Sequence, residues 1–343
     1  MVGRSPYDNA RMQGAQAAMS LARRLDLKKR VLAGHSGSVD VFAIIEELDV
    51  PFTFMELDKA LGFCLPYPKL GIVVTTKASL HRQRYTAAHE LGHAVMEHEG
   101  SIDQDILMRG GQSMTQGDLK EVEAEAFAAE LLLPKWLLVH HMRRKGWTIA
   151  HHLPNPEVVY QLSLRVSASY EAVCWSLFGN ELLPNRQTLD ELLRAGRSLA
   201  KVKKEAIAPF DAHLGHSNAL RLLADDSGSV FSISANDLIR VELIENVGGG
   251  YVWDSGTAVE VGFTVEYDDY AKIDETRIGS PTRRNLIFTP PPGEAIELIL
   301  SERRPWERSL KPAQVFGATF DVLGPEKAGM SRARRRMLGL EVA

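Results

Sequence analysis

The chain has 343 residues, 45% apolar and 24% charged, with a formal net charge of −4. Those values fit a folded globular protein of two or three domains and exclude a global electrostatic pull toward nucleic acid or acidic membranes. No apolar run is long enough to span a bilayer, so no membrane association is expected. The stretch Met1–Leu27 lacks the unbroken apolar core of a signal peptide, because Arg11, Gln13, Gln16, Arg23 and Arg24 interrupt it. A cytoplasmic location is expected. Cys64 and Cys174 sit among apolar neighbours and read as buried free thiols.

In chain order, Ala15–Arg30 carries Ala18, Leu21 and Leu25 at helical spacing. Val39–Leu48 repeats the pattern with Val41, Ile44, Ile45 and Leu48. Phe52–Met55 and the β-branched run Gly71–Thr76 predict strands, the second being the expected edge for an extended peptide. Residues 77–84 are polar and predict a solvated loop.

Next comes Tyr85-Thr-Ala-Ala-His89-Glu90-Leu-Gly92-His93, an H-E-x-x-H motif on a stretch of helix formers. Histidines four apart lie about 40° apart around a helix, so both imidazoles project from one face. Neutral imidazole binds Zn²⁺, and the pair supplies two ligands of a tetrahedral site. Glu90 stands beside them, where a carboxylate can take a proton from an activated water. Gly92 lets another backbone come close. Residues 100–117 are glycine-bearing and predict a surface loop.

The helix over 118–134, stopped at Pro134, offers acids for a third ligand. Glu121 and Glu125 share a face one turn apart, and Glu123 points elsewhere. One of the pair can bind metal while the other hydrogen-bonds a ligand histidine; negative charge also simply suits the first turns of a helix. The longer motif with a third histidine is absent. Met96 and Glu99 occupy its positions, and His98 reads as an ordinary, partly exposed histidine. The pairs His140–His141 and His151–His152 read as surface.

The segment from about Val31 to Pro134 resembles the ImmA/IrrE zinc metallopeptidases. The shared residues are Arg84-Tyr85-Thr86…His89-Glu90-Leu91-Gly92-His93 and Glu121-Val-Glu123-Ala-Glu125-Ala-Phe127-Ala-Ala-Glu130-Leu-Leu-Leu-Pro134. The resemblance implies Zn²⁺ as cofactor, His89, His93 and Glu121 as its ligands, and Glu90 as catalytic base. Glu125 stands where the family often has asparagine and is expected to support the ligands. Tyr85, His81, Arg82 and His98 are candidates to stabilise an oxyanion. The resemblance further implies a protein substrate of the helix-turn-helix repressor type, in a stress or mobile-element response.

Glu157–Leu177 reads as helix, turn, helix, like the segment that follows the core in that family. Its second helix carries Glu171 and no Lys or Arg, so direct DNA binding is not expected and the role is structural. Residues 187–207 read as a connector helix. From about Ser227 short alternating runs appear, at 230–234, 238–244, 259–265, 286–289, 295–300 and 316–322, which predicts a β-sandwich. Within it, Asn246-Val-Gly-Gly-Gly250-Tyr251-Val-Trp253 and Arg304-Pro305-Trp306 resemble two signature loops of chagasin-like cysteine-protease inhibitors, and imply a surface that binds a second protein. A third loop would fall near 279–284. The tail from Ser331 is basic and reads as solvated.

The expected architecture is α+β. A zincin-like unit spans 1–153, a helix-turn-helix-like extension 154–226, an immunoglobulin-like all-β sandwich 227–330, and a basic tail 331–343. The expected function is zinc-dependent proteolysis of a regulatory protein. The alternative is a non-enzymatic regulator or protease-binding protein acting through the sandwich.

Overall fold

The computed structural model describes residues 5–65, 68–98, 119–210, 217–273, 276, 280–307 and 311–340. The opening helix α1 (Pro6–Arg24) starts at Pro6, with Ser5 accepting from the N–H of Asp8 at 3.1 Å. Asp26 takes a left-handed φ of 49°, which separates α1 from α2 (Leu27–Ala33) where one helix was expected. α3 (Val41–Glu47) is capped by Asp40. β1 (Phe52–Met55), β2 (Gly62–Leu65) and β3 (Gly71–Thr75) form a sheet in the order β1-β3-β2. β3 is therefore central, paired parallel to β1 and antiparallel to β2, and the expected edge role passes to β2. The segment read as a loop over 77–84 turns helical from Leu80, the start of α4 (Leu80–Val95). The expected loop over 100–117 lies outside the described residues.

α5 (Leu119–Leu132), α6 (Lys135–Lys145), α7 (Pro156–Arg165), α8 (Tyr170–Gly179), α9 (Arg186–Gly196) and α10 (Leu199–Ile207) complete the helical layer. His141 on α6 is not a surface residue. It is buried, donates from Nε2 to the Gly37 carbonyl at 2.9 Å, and has its pKa lowered by that burial to about 4.

The C-terminal part holds β4 (Ala219–Leu223), β5 (Val230–Ile233), β6 (Leu238–Glu245), β7 (Val252–Asp254), α11 (Gly256–Val261), β8 (Thr264–Lys272), β9 (Thr282–Thr289), β10 (Gly293–Arg303) and β11 (Gln314–Val322). Two four-stranded sheets result, β4-β6-β9-β8 and β5-β11-β10-β7. The first begins at Ala219, ahead of the expected boundary at 227. The run expected as a strand from Val259 opens as α11, stopped by Gly262 at φ 110°.

Alternation along the strands makes β4-β6-β9-β8 the middle of three layers. Leu286 and Phe288 face the other sheet, whereas Ile287, Leu238 and Ala219 join the helical core. At the outer edge of β4, side chains from α7 stand where a further strand would pair. Tyr160 accepts from the Ala219 N–H at 2.9 Å, and Gln161 donates to Ala219 O and accepts from the Arg221 N–H, both at 2.8 Å. Arg165 donates to Arg221 O at 2.6 Å.

After β11 the chain returns to the N-terminal unit. Gly329 exchanges two backbone hydrogen bonds of 2.8 Å with Phe54, and Gln83 of α4 bonds both backbone groups of Glu326. α12 (Arg332–Met337) follows. Ser331 is buried and donates to Glu46 at 2.8 Å, and Arg334 pairs with Glu46 at 3.4 Å. The basic tail is thus docked over Ser331–Arg335 rather than solvated there, whereas residues 336–340 are exposed.

A buried ion cluster joins helices to sheet: Asp226 Oδ2 lies 2.8 Å from Lys145 Nζ and 3.1 Å from Arg165. Burial raises the Asp226 pKa, but the two cations and the Leu223 N–H outweigh it and hold the carboxyl below 3.8. Removing one partner of such a cluster leaves uncompensated buried charge. Asp226→Asn is expected to cost about 3 kcal/mol at pH 7, measured by urea unfolding. A depressed carboxyl stabilises above its unfolded pKa and stops doing so as pH falls through the folded value. The gap between wild type and variant therefore closes below about pH 4.

Candidate metal centre

Two anchors fix α4 along its axis. Near its start, buried Arg84 donates to Val39 O at 2.6 Å and Ser38 Oγ at 3.3 Å, and Gln83 donates to Thr75 O at 3.0 Å. In its second half, Gly92 lets α5 come to near-backbone contact. A Cβ at Gly92 would stand 3.2 Å from Ala124 Cα and 3.1 Å from the Phe127 ring. The close approach expected of Gly92 is thus made with α5.

That approach brings three donors together. His89 Nε2 is 3.1 Å from His93 Nε2 and 3.1 Å from Glu121 Oε2, and His93 Nε2 is 3.3 Å from Glu121 Oε1. A tetrahedral Zn²⁺ with bonds of about 2.0–2.1 Å separates neighbouring donors by about 3.3 Å. The triangle therefore has the size of one face of a zinc tetrahedron, and its donor set suits that ion. All three side chains are buried, as is Glu90. Burial raises the Glu121 pKa, but hydrogen bonds from His89 and His93 and their charge outweigh it, so Glu121 sits well below the usual carboxylate range. Glu125 is half-buried and outside this group of three.

Sequence reasoning missed two residues here. His98 is partly exposed, as expected, but is bonded through both ring nitrogens, and Glu123, which points away from the triangle, is its partner. The chain reverses at Glu97, φ 54°, and carries His98 back beside its neighbour. His93 Nδ1 lies 2.9 Å from His98 Nδ1, and His98 Nε2 lies 2.8 Å from Glu123. With His93 Nε2 turned to the triangle, its Nδ1–H donates to His98, whose Nε2–H donates to Glu123. The chain of bonds fixes tautomer and ring orientation. Of the other oxyanion candidates, Tyr85 is half-buried within α4, whereas His81 and Arg82 are exposed on its first turn.

The edge strand β2 lies against α4. A Cβ at Gly62 would meet Thr86 at 2.6 Å, Val73 O at 2.8 Å and Glu90 Cγ at 3.4 Å, so only glycine fits there. Cys64 of β2 is a buried free thiol, as is Cys174. Burial, then the Glu90 charge, pushes the Cys64 pKa to about 12, which leaves it a poor nucleophile.

At the far end of the sandwich, the two signature loops meet. Gly250 has φ 75°, and a Cβ there would stand 2.5 Å from the Trp306 ring. The Arg304 guanidinium sits 4.8 Å over Tyr251 and donates to Gly249 O at 2.9 Å. Trp306 is 70% exposed and Pro305 is exposed beside it. Trp253, 5% exposed, supports the loop from inside, donating to Ile244 O at 2.8 Å, and exposed Asn246 donates to buried Glu302. Most of the third connection, 273–281, lies outside the described residues. Its flanking residues Lys272 and Thr282 register with Glu245, at the same end.

If Glu123 positions His93 through His98, its loss loosens the ligand without removing it. Glu123→Ala is expected to weaken zinc binding about 10- to 100-fold, measured by competition with a chromophoric chelator. Glu123→Gln, which still accepts from His98, retains most of the affinity.

The family model described as IrrE N-terminal-like domain (Peptidase_M78) matches residues 45–178, and that of the chagasin family peptidase inhibitor I42 matches residues 232–320. Among solved structures, the cysteine protease inhibitor EhICP2 from Entamoeba histolytica is 24% identical, covering 32% of this chain and 98% of its own, with a TM-score of 0.28. The solution structure of Amebosin is 22% identical, with the same coverages and a TM-score of 0.25. No curated protein matches the chain. The chain thus joins a segment similar to the IrrE N-terminal-like domain to a segment similar to the chagasin family peptidase inhibitors.

Proposed function

We propose that the chain is a zinc-dependent endopeptidase that cleaves a regulatory protein. The observation that carries this reading is the His89, His93 and Glu121 triangle with Glu90 one residue from a ligand on the same helix. When bound, zinc lowers the pKa of a water and polarises a carbonyl. The residues' own parts follow from their places. His89, His93 and Glu121 hold the ion. Glu90 takes the proton from the attacking water and passes it to the leaving amine. His98 and Glu123 keep His93 oriented.

Substrate alignment falls to β2. Thr75 donates to Leu61 O, so residues 61, 63 and 65 turn toward β3, while the backbone groups of Gly62 and Cys64 turn outward. A peptide paired to that edge runs past Glu90. A zincin-like unit over 1–153, a helical extension over 154–226 and an immunoglobulin-like sandwich over 227–330 remain our reading of the domains. A helix-turn-helix repressor is the proposed substrate, on the strength of the family resemblance. A cytoplasmic site of action fits two free, buried thiols.

Co-expression of the chain with a candidate repressor tests this. Glu90→Gln should retain zinc and lose cleavage about 10²- to 10⁴-fold. Equal cleavage by Glu90→Gln and wild type would end the proposed mechanism.

A second reading is supported by Trp306, exposed yet held against Gly250, in a segment of the chagasin family. On this reading the loops grip a papain-like protease. Exposed aromatic anchors dominate such interfaces. Trp306→Ala should weaken inhibition of papain by about tenfold or more without changing zinc content. Wild type that leaves papain fully active would remove this reading.

A further inference from the structure

Two buried acids grip the Asn246–Tyr251 loop at the far end of the sandwich. Glu302 on β10 is 0% exposed, and Glu245 at the end of β6 is 2% exposed. The Glu302 carboxylate accepts from the backbone N–H of Asn246 at 2.8 Å and from its side-chain amide at 3.0 Å. Glu245 accepts from the Trp253 N–H at 2.8 Å and from the Thr282 hydroxyl at 3.4 Å. The first acid holds the loop where it leaves β6, and the second where it enters β7.

Between those points the loop has little to order it. Ladder pairing with β10 starts only at Val252. Within the loop, the N–H groups of Gly249 and Gly250 donate to Asn246 O at 3.0 Å and Val247 O at 2.8 Å, a single tight turn. Glycine loses more freedom on ordering than any other residue, and Gly248, Gly249 and Gly250 stand in succession. The remaining contacts, Arg304 on Gly249 O and Trp306 over Gly250, come from the other signature loop. Glu302 lies two residues before Arg304 on the same strand. Its carbonyl accepts from the Ala313 N–H at 2.8 Å, across the base of the Trp306 connection. The backbone of this one residue therefore carries one loop while its side chain holds the other.

We propose that Glu302 is a positioning residue for protein recognition, holding the Asn246–Tyr251 loop against Trp306 in its binding conformation before a partner arrives. This rests on the second reading above, in which the loops grip a papain-like protease. Glu302 is enclosed by its own chain and acts only through Asn246. A loop ordered in advance loses less freedom on binding. Without the carboxylate, the Asn246 N–H and amide lose their acceptor, and the glycines are ordered only when the partner binds.

The test measures hydrogen–deuterium exchange of the full, zinc-loaded chain together with inhibition of papain. Glu302→Ala should speed exchange over 246–251 about tenfold or more, with β9 and β11 protected as in wild type, and weaken inhibition about tenfold. Glu302→Gln keeps an acceptor for Asn246 and should stay within about threefold of wild type in both readouts. Asn246→Ala, at an exposed site, removes one of the two bonds without opening a cavity and should speed the same amides about threefold. Exchange over 246–251 unchanged in Glu302→Ala overturns the proposal, as does faster exchange with papain inhibition unchanged. If Glu302→Ala raises exchange across every strand, Asn246→Ala decides, and unchanged exchange in that variant overturns the proposal. Wild type that leaves papain active ends the protease reading, and the exchange rates then decide alone whether Glu302 sets the loop.

Discussion

α5 touches two helices with no room for a side chain at either contact, and the candidate metal centre depends on that fit. On one side a Cβ at Gly92 would press on Ala124 and Phe127; on the other, a Cβ at Gly14 of α1 would stand 2.0 Å from Glu123 O. Helices packed through such contacts sit at the short end of the usual 8–10 Å range. They also lose freedom to rotate, because a turn of α5 would drive Phe127 into α4. Glu121 is therefore held where its two oxygens meet two imidazoles. Glu123, two residues on, is reached from a different direction, by His98 after the reversal at Glu97. Both acids reach the candidate metal centre because the chain turns back beside α5 at the end of α4.

The helical extension answers a different physical problem. β4 is an edge strand, and an unpaired edge invites association with other chains. Tyr160, Gln161 and Arg165 of α7 satisfy the outward N–H and C=O groups of Ala219 and Arg221. α7 is thereby occupied on its polar face. Its polar groups face a strand, and Arg165 is committed to Asp226. The docked tail ties the same body together, because Glu326, Gly329 and Ser331 bond α4, β1 and α3.

How much of this is legible in the sequence depends on whether the signal is local. The H-E-x-x-H spacing is a property of one helix, so His89, Glu90 and His93 can be read directly. Glu121 comes from the second motif, with Glu125 left open until the packing of α5 decides the rotation. His98 and Glu123 are invisible to spacing, because their bond crosses a chain reversal set by one positive φ at a non-glycine residue. β2 has four residues and no alternation, and β4 precedes the change in texture near Ser227, so both are recognised only by their partners. The tail reads as solvated because arginines usually are, but its partners Glu46 and Glu326 lie far away in sequence or across a turn.

The sandwich separates the two candidate surfaces by the length of its strands. β6 starts at Leu238, inside the core shared with the helices, and ends at Glu245, where the Asn246–Tyr251 loop begins. Seven steps of a strand span about 23 Å. The Trp306 loop sits at that same outer end, through the Glu302–Trp253 register. A protein gripped by these loops therefore contacts the end of the sandwich remote from the helical core. Glu90 and the β2 edge belong to the other body. The two candidate surfaces therefore do not overlap.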